Sequence, residues 1–288
     1  MKPAPFAYVR PDSLDEALTA LAGADGAKVL AGGQSLVPLL SMRLAAPTTL
    51  VDINGVPDLD AVTVTGDGVR VGALARHADV LASAEAREVQ PLLALALAHV
   101  AHGTIRNRGT TVGSLVHADA AAEMPVVLRL LGGSVEVASL RGRRTIAADD
   151  LYIGPLESSL EADEIAVSAF FPALPAGTGV AFDEIARRHG DYALCGVAAT
   201  VRLDGDRVVE ARAGYLSVSD LPTVVDLTAQ LADGIEDTAL AAAGEEALRH
   251  LDPAGDIHAT ADYRAQLARV LTTRVLRAAY DDARARTS

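Results

Sequence analysis

The sequence has a single cysteine, Cys195, no tryptophan, and only 3% aromatic residues among its 288. One thiol cannot close a disulfide within the chain, nor supply a thiolate zinc site or an iron–sulfur cluster. Positive charge is also scarce: 25 Lys and Arg stand against 38 Asp and Glu, a formal net charge of -13. A field of that sign repels phosphate backbones and anionic lipid, which argues against nucleic acid and membrane surfaces as partners. Long apolar runs are missing. The longest, over residues 91–101, falls well short of the ~20 residues a transmembrane helix needs. The opening MKPAPFAYVR holds no continuous apolar stretch of signal-peptide type, so a cytoplasmic protein is expected.

What is present suits a soluble globular chain: 50% hydrophobic and 22% charged residues, with Ala, Leu and Val carrying the core. Helix and strand patterns alternate. Ser13 reads as a helix N-cap, with Asp15 and Glu16 in the first turn and Leu14, Ala17, Leu18 and Leu21 at helical spacing before Gly23. A strand over 28–31, a helix over 36–43 and a strand over 49–53 complete a first subdomain, residues 1–55. The second, residues 56–175, opens on the alternating hairpin over 62–71. Helices near 77–83, 91–99 and 123–131 follow, then strands over 134–138, 144–147 and 163–171. LPAGTG (174–179) has the composition of a linker. Beyond it, in residues 176–288, three strands (180–187, 193–203, 207–217) precede helices over 238–251 and 263–280. Leu267, Val270, Leu271 and Val275 are expected on one face of the last helix. The fold class is α+β, closing with a three-stranded sheet and helices.

Two glycine-centred segments carry the chemistry. In VLAGGQSLVPLL a strand runs into Gly32 and Gly33, and Ser35 opens a helix. Paired glycines let backbone N–H groups approach a bulky anion, and the hydroxyl adds a donor. In GTIRNRGTTVGSLVHADAAAEMP, Thr110, Thr111 and Ser114 surround Gly109 and Gly113, with Arg106 and Arg108 before and His117, Asp119 and Glu123 after. The segment over 103–114 has no clean period and reads as a loop. Each is weak evidence alone, since strand–Gly–Gly–helix corners are mostly turns. Together they favour a diphosphate held between two subdomains. Neither matches a Rossmann fingerprint or a P-loop, so an ATPase or conventional NAD site is not expected.

The pairing of AGGQSLVPLL with TIRNRGTTVGSLVHADAAAEMP, followed by FDEIARRHGDYALCGVAA, resembles the FAD-binding medium subunit of molybdenum hydroxylases. The carbon monoxide dehydrogenase medium-chain branch is the nearest likeness, and the resemblance covers nearly the whole chain. It implies a vanillyl-alcohol-oxidase-type flavoprotein fold, two N-terminal subdomains gripping FAD under a C-terminal α+β domain. Ala31, Gly32, Gly33, Gln34, Ser35 and Leu36 match the family's first diphosphate loop, and Thr110, Gly113 and Ser114 match the second. Asp119 matches the acidic position of its H-x-D stretch. Tyr192 matches an aromatic near the isoalloxazine, and Leu160 an apolar position near the ring. Val112 and Ala120 depart from the pattern, where relatives often have Gly and Pro.

The resemblance further implies partners: a large molybdopterin subunit that oxidises the substrate, and a small subunit whose two [2Fe–2S] clusters deliver electrons to FAD, in a dimer of heterotrimers. No side chain here then needs to act as an acid or base. FAD is expected to be noncovalent, since His and Cys attachment sites typical of covalent flavins are not evident in the two loops. Two other classes compete: a stand-alone flavin-dependent oxidoreductase, and a non-enzymatic module that has lost flavin. Plainer readings apply elsewhere. His99 and His102, three apart, are expected to be ordinary helix-end residues rather than a metal pair. His117 with Asp119 belongs to cofactor contact or loop structure, and Cys195, in an apolar strand pattern, to the core.

Overall fold

A computed structural model describes residues 2–287. The first sheet is parallel, in the order β1-β3-β2, formed by β1 (Ala7–Val9), β2 (Ala27–Leu30) and β3 (Thr49–Asp52). Helices α1 (Leu14–Ala22) and α2 (Leu36–Met42) connect the strands. Ser13 caps α1 as expected, its hydroxyl accepting from the Glu16 amide, and Ala17, Leu18 and Leu21 are buried. All three residues of β1 are exposed, so no buried alternation marks it in the sequence.

The second sheet is antiparallel, order β4-β5-β10-β6-β7. Its strands are β4 (Val62–Thr65), β5 (Gly68–Gly72), β6 (Ser134–Ser139), β7 (Gly142–Ala147) and β10 (Ile165–Pro172). Between β5 and β6 run six helices: α3 (His77–Ala82), α4 (Ala84–Val89), α5 (Pro91–Leu97), α6 (Gly103–Arg106), α7 (Thr111–His117) and α8 (Glu123–Leu130). A one-turn helix α9 (Ala148–Leu151) and the small ladder of β8 (Tyr152–Gly154) with β9 (Glu157–Ser158) precede β10. Leu92, Leu97, Leu115, Met124 and Val127 pack on Val69, Val71, Val135, Val137 and Phe171 in one core, which also holds Val180 and Ala198 of the last sheet. A second core joins Leu18, Leu21 and Val51, from α1 and β3, to Leu74, Ile165 and Val167, from the loop after β5 and from β10.

The last sheet has four strands, not three. It is an antiparallel meander of β11 (Thr178–Ala186), β12 (Ala193–Asp204), β13 (Arg207–Leu216) and β14 (Thr223–Asp226). Strand β14 is a four-residue edge following Pro222, too short to show a period. Helices α10 (Thr228–Leu231), α11 (Asp237–Leu248) and α12 (Ala261–Thr287) close the chain. On α12 the buried side chains among the described residues are Arg264, Ala268, Leu271, Thr272, Val275, Leu276, Ala279 and Ala283, while Val270 is exposed. Steps of three and four from Ala268 pass over Val270, which corrects its assignment to the inner face. The architecture is α+β.

Candidate functional site

Strand β2 ends at Leu30, and α2 begins at Leu36 after five intervening residues. Gly33 has φ +71°, a left-handed conformation that a side chain disfavours. Gln34 folds back, its Nε2 donating to the Gly32 carbonyl at 3.0 Å. The Gly33 carbonyl accepts from the Val37 amide at 2.9 Å, and that of Ser35 from Leu39 at 3.2 Å, closing the first turns of α2. The Ser35 hydroxyl makes no capping bond. Among the described residues no backbone acceptor takes the amides of Gly33, Gln34 or Ser35. Three half-buried donors in a row without protein partners form a concave set of amides of the kind that can receive an anion.

The second segment is more ordered than its composition suggests. Residues 103–114, expected as a loop, hold α6 and the start of α7. Thr110 is the N-cap of α7, its Oγ1 accepting from the Gly113 amide at 3.2 Å. Gly113 therefore lies inside a helix, and a Cβ there would sit 2.5 Å from Thr110 Oγ1. Ser114 follows in the same turn, its amide donating to the Thr110 carbonyl at 3.1 Å. Val112, the departure from the family pattern, is 2% exposed and belongs to the core beneath. Arg106 is spoken for, its Nη1 donating to the carbonyls of Val100 at 2.7 Å and Ala101 at 2.9 Å. Thr111 meets buried His77 (Oγ1 to Nδ1, 3.2 Å), whose pKa burial pushes down to about 4, with Arg106 adding to the effect.

The two segments touch. A Cβ on Gly32 would lie 2.3 Å from the Arg108 carbonyl oxygen, 2.9 Å from Gly109 Cα and 3.0 Å from the Thr110 nitrogen. Backbone rests on backbone, and only glycine fits. Two side chains that the sequence reading did not single out complete the contact. Asn54 Nδ2 donates to the Ala31 carbonyl at 2.8 Å, and Asn54 Oδ1 accepts from Arg76 Nη2 at 2.7 Å. Arg76 Nη1 donates to the Arg108 carbonyl at 2.9 Å. Nothing in the spacing of Asn54 and Arg76 marks them, since tertiary packing alone brings them together.

Residues 4–174 match the family of FAD binding domains in molybdopterin dehydrogenases, and residues 180–279 match the CO dehydrogenase flavoprotein C-terminal domain. The chain belongs to this family. It is 43% identical to the 6-hydroxypseudooxynicotine dehydrogenase complex subunit alpha of Paenarthrobacter nicotinovorans, over 99% of this chain and 97% of that protein. Its structure is similar to quinoline 2-oxidoreductase from Pseudomonas putida 86 (TM-score 0.92, 39% identity, 98% of this chain and 99% of that one). It is equally similar to carbon monoxide dehydrogenase from Hydrogenophaga pseudoflava (TM-score 0.92, 33% identity, with the same coverage of 98% and 99%). The chain is thus a flavoprotein subunit of the molybdenum hydroxylase class, as the motifs imply.

In this flavoprotein subunit Asp119, Leu160 and Tyr192, of the other expected site residues, do not join the contact between the two glycine turns. Ala31 and Leu36 flank the first one, but Asp119 follows the left-handed Ala118 that ends α7 (φ 56°). Its Oδ1 accepts from the Ala121 amide at 2.9 Å. Asp119 and exposed Tyr192, from the β11–β12 connection, share the wall of a 630 Å³ cavity with Arg187, Asp256 and Arg264. Leu160 is half-buried between β9 and β10, against the core that holds Leu115 and Phe171. Near this side lies a titratable cluster that sequence reasoning missed. Burial pushes the Glu123 carboxyl up to about 8, and Glu184 adds to the shift. His99 pairs with Glu184, and His102 precedes α6 as its N-cap. Cys195 is fully buried, and burial pushes its thiol up to about 12.

Proposed function

We propose that this chain is the FAD-binding, electron-transfer subunit of a molybdenum-containing hydroxylase or dehydrogenase. Its electrons come from [2Fe–2S] clusters in a small partner subunit, after a large molybdopterin subunit has oxidised the substrate, and leave to an external acceptor. The reading takes the assembly to be a cytoplasmic dimer of heterotrimers. The names of relatives support a multi-subunit setting, one being a subunit of a dehydrogenase complex. No helix among the described residues is long and apolar enough to cross a membrane.

The observation that carries the reading is the contact of Gly32 with residues 108–110. It brings the unpartnered amides of Gly33, Gln34 and Ser35 beside the start of α7, where a dinucleotide's diphosphate needs donors from both sides. In this arrangement residues 31–36 hold one flank of the diphosphate, and Thr110, Gly113 and Ser114 the other. Leu160, Asp119 and Tyr192 serve the ring end. The fit is steric as well as polar, since a Cβ on Gly32 or Gly113 would fill space that backbone or Thr110 occupies. When bound, the flavin supplies the exchange between one-electron and two-electron carriers. The chain's own work is binding, orientation and exclusion of water, and none of its residues is assigned a proton-transfer step.

The test is the purified chain's visible spectrum and its FAD stoichiometry. One FAD per chain, released intact by acid without covalent attachment, is the expected result. A colourless protein that does not take up added FAD would overturn the reading. Co-purification with molybdenum- and iron–sulfur-containing chains would separate a subunit from a stand-alone flavoenzyme.

A further inference from the structure

Asn54 and Arg76 touch both glycine segments without belonging to either. Arg108's carbonyl, the atom that a Gly32 side chain would strike at 2.3 Å, is also the atom that Arg76 Nη1 holds at 2.9 Å. On the other segment, Asn54 Nδ2 holds the Ala31 carbonyl at 2.8 Å. In a trans peptide the C=O and N–H point opposite ways. Tying the Ala31 carbonyl to Asn54 therefore turns the Gly32 N–H away from Asn54. The Asn54 amide is itself oriented: Nδ2 also donates to Asp52 Oδ1 at 2.6 Å, while Oδ1 accepts from Arg76 Nη2 at 2.7 Å. Swapping its O and N would set oxygen against two acceptors and nitrogen against a guanidinium. Tyr8 extends the chain outward, its hydroxyl donating to Asp52 Oδ2 at 2.5 Å.

We propose that Asn54 and Arg76 form a strap that sets the separation of the two diphosphate segments, and with it the affinity for FAD. They are positioning residues, acting through the Ala31 and Arg108 carbonyls. The inference rests on the reading of the two segments as the FAD site. Each segment receives one side-chain bond from the same pair, so losing either partner frees one wall. Bonds to a charged donor are the stronger kind, and Arg76 donates to both Asn54 and Arg108.

The experiment is FAD titration of the flavin-depleted full chain, followed by flavin fluorescence, with the thermal midpoint of the flavin-free protein measured beside it. Arg76→Met and Asn54→Leu are each expected to raise the Kd for FAD about tenfold. The double variant should be little worse than either single one, because the pair works as one device. Arg76→Lys, keeping one donor group, should recover part of the loss. ADP, which carries the diphosphate but no flavin ring, should lose affinity by the same factor. Gly32→Val serves as the control for the site itself. If Gly32→Val binds FAD normally, the site assignment fails. If it loses FAD while Arg76→Met and Asn54→Leu bind like the parent, the strap is overturned and the site stands. A fall in the flavin-free midpoint large enough to account for the lost affinity would also overturn it, leaving a structural brace only.

Discussion

His99 Nδ1 lies 3.5 Å from Glu184 Oε1, with the other Glu184 oxygen buried and unpartnered. The Glu184 carboxylate raises the His99 pKa, and burial together with the Glu184 charge raises that of Glu123 to about 8. Both groups bind protons more tightly folded than unfolded, so they act in one direction. For Glu123, stability is lost as pH rises from the ordinary carboxylate range to about 8. For His99, the contribution is full below its ordinary pKa and fades as pH rises through the raised value. The thermal midpoint is therefore expected to fall as pH rises from about 4.5 to about 8, the span between the ordinary and the raised Glu123 pKa, with His99 adding to the fall in the same direction. Glu123→Gln should flatten that slope and raise the midpoint at pH 8 by about 3 °C or more. An unchanged slope in the variant would remove Glu123 as its origin.

Gly33 and Gly113 serve the site for different reasons, and their variants should differ. Valine at Gly33 meets a backbone of φ +71°, with Leu30 and Val37 side chains each 3.1 Å from the new Cβ. A β-branched residue there costs about 1–3 kcal/mol in backbone strain, so the loop changes shape before the fold fails. Valine at Gly113 meets Thr110 Oγ1 at 2.5 Å and breaks the cap of α7. Loss of a cap costs about 1 kcal/mol. Both variants should keep their far-UV circular dichroism and lose flavin, measured as the ratio of absorbance at flavin wavelengths to that at 280 nm. Normal stoichiometry in both would count against the diphosphate assignment.

The order of elements was legible where one local rule dominates. Ser13 before an acidic first turn, the alternating hairpin of β4 and β5, and the long strands β11 to β13 all follow from capping and period. What escaped was short or crowded. In β1 no side chain is buried, and α4 is six residues between the Ser83 cap and the Gln90-Pro91 start of α5. Helix α7 was hidden by its composition, because Thr110 and Gly113 read as loop residues until the cap they form is seen. The glycine segments were legible as motifs, but their contact was not. Asn54 and Arg76 are 22 residues apart, and only the fold gives the pair its meaning. The same holds for Glu184, whose proximity to His99 arises between the turn after α5 and β11.

Cys195 is fully buried within β12, and burial pushes its thiol up to about 12. Almost none is thiolate at neutral pH, so an aromatic disulfide reagent should leave the native chain unmodified and react once it is unfolded. Cys195→Ser places a hydroxyl in an apolar site and is expected to cost about 1–3 kcal/mol, read from denaturant unfolding, with flavin content unchanged. Rapid modification of the native protein would show that β12 opens at this point.

Arg264, at the first turn of α12, holds the start of β12 and the end of β13 together. Its Nη1 donates to the Leu194 carbonyl at 2.6 Å and the Ser217 carbonyl at 2.9 Å, and its Nη2 pairs with Asp256 at 2.8 Å. The side chain is only 9% exposed, so these bonds replace water that it has lost. Ser217 sits at φ +64°, a conformation that costs a non-glycine residue about 1–3 kcal/mol and persists only when its surroundings hold it. Here the hold comes from both sides, with the Ser217 amide donating to the Ala120 carbonyl at 3.0 Å and its carbonyl accepting from Arg264. Arg264→Met keeps the buried stem but strands two carbonyls. Asp256 is 45% exposed and rehydrates, so its loss adds little. The net expectation is about 2–3 kcal/mol of destabilisation. That corresponds to a thermal midpoint lower by about 4–12 °C. A midpoint within about 2 °C of the parent would mean that water satisfies both carbonyls and that Ser217 keeps its conformation without the arginine.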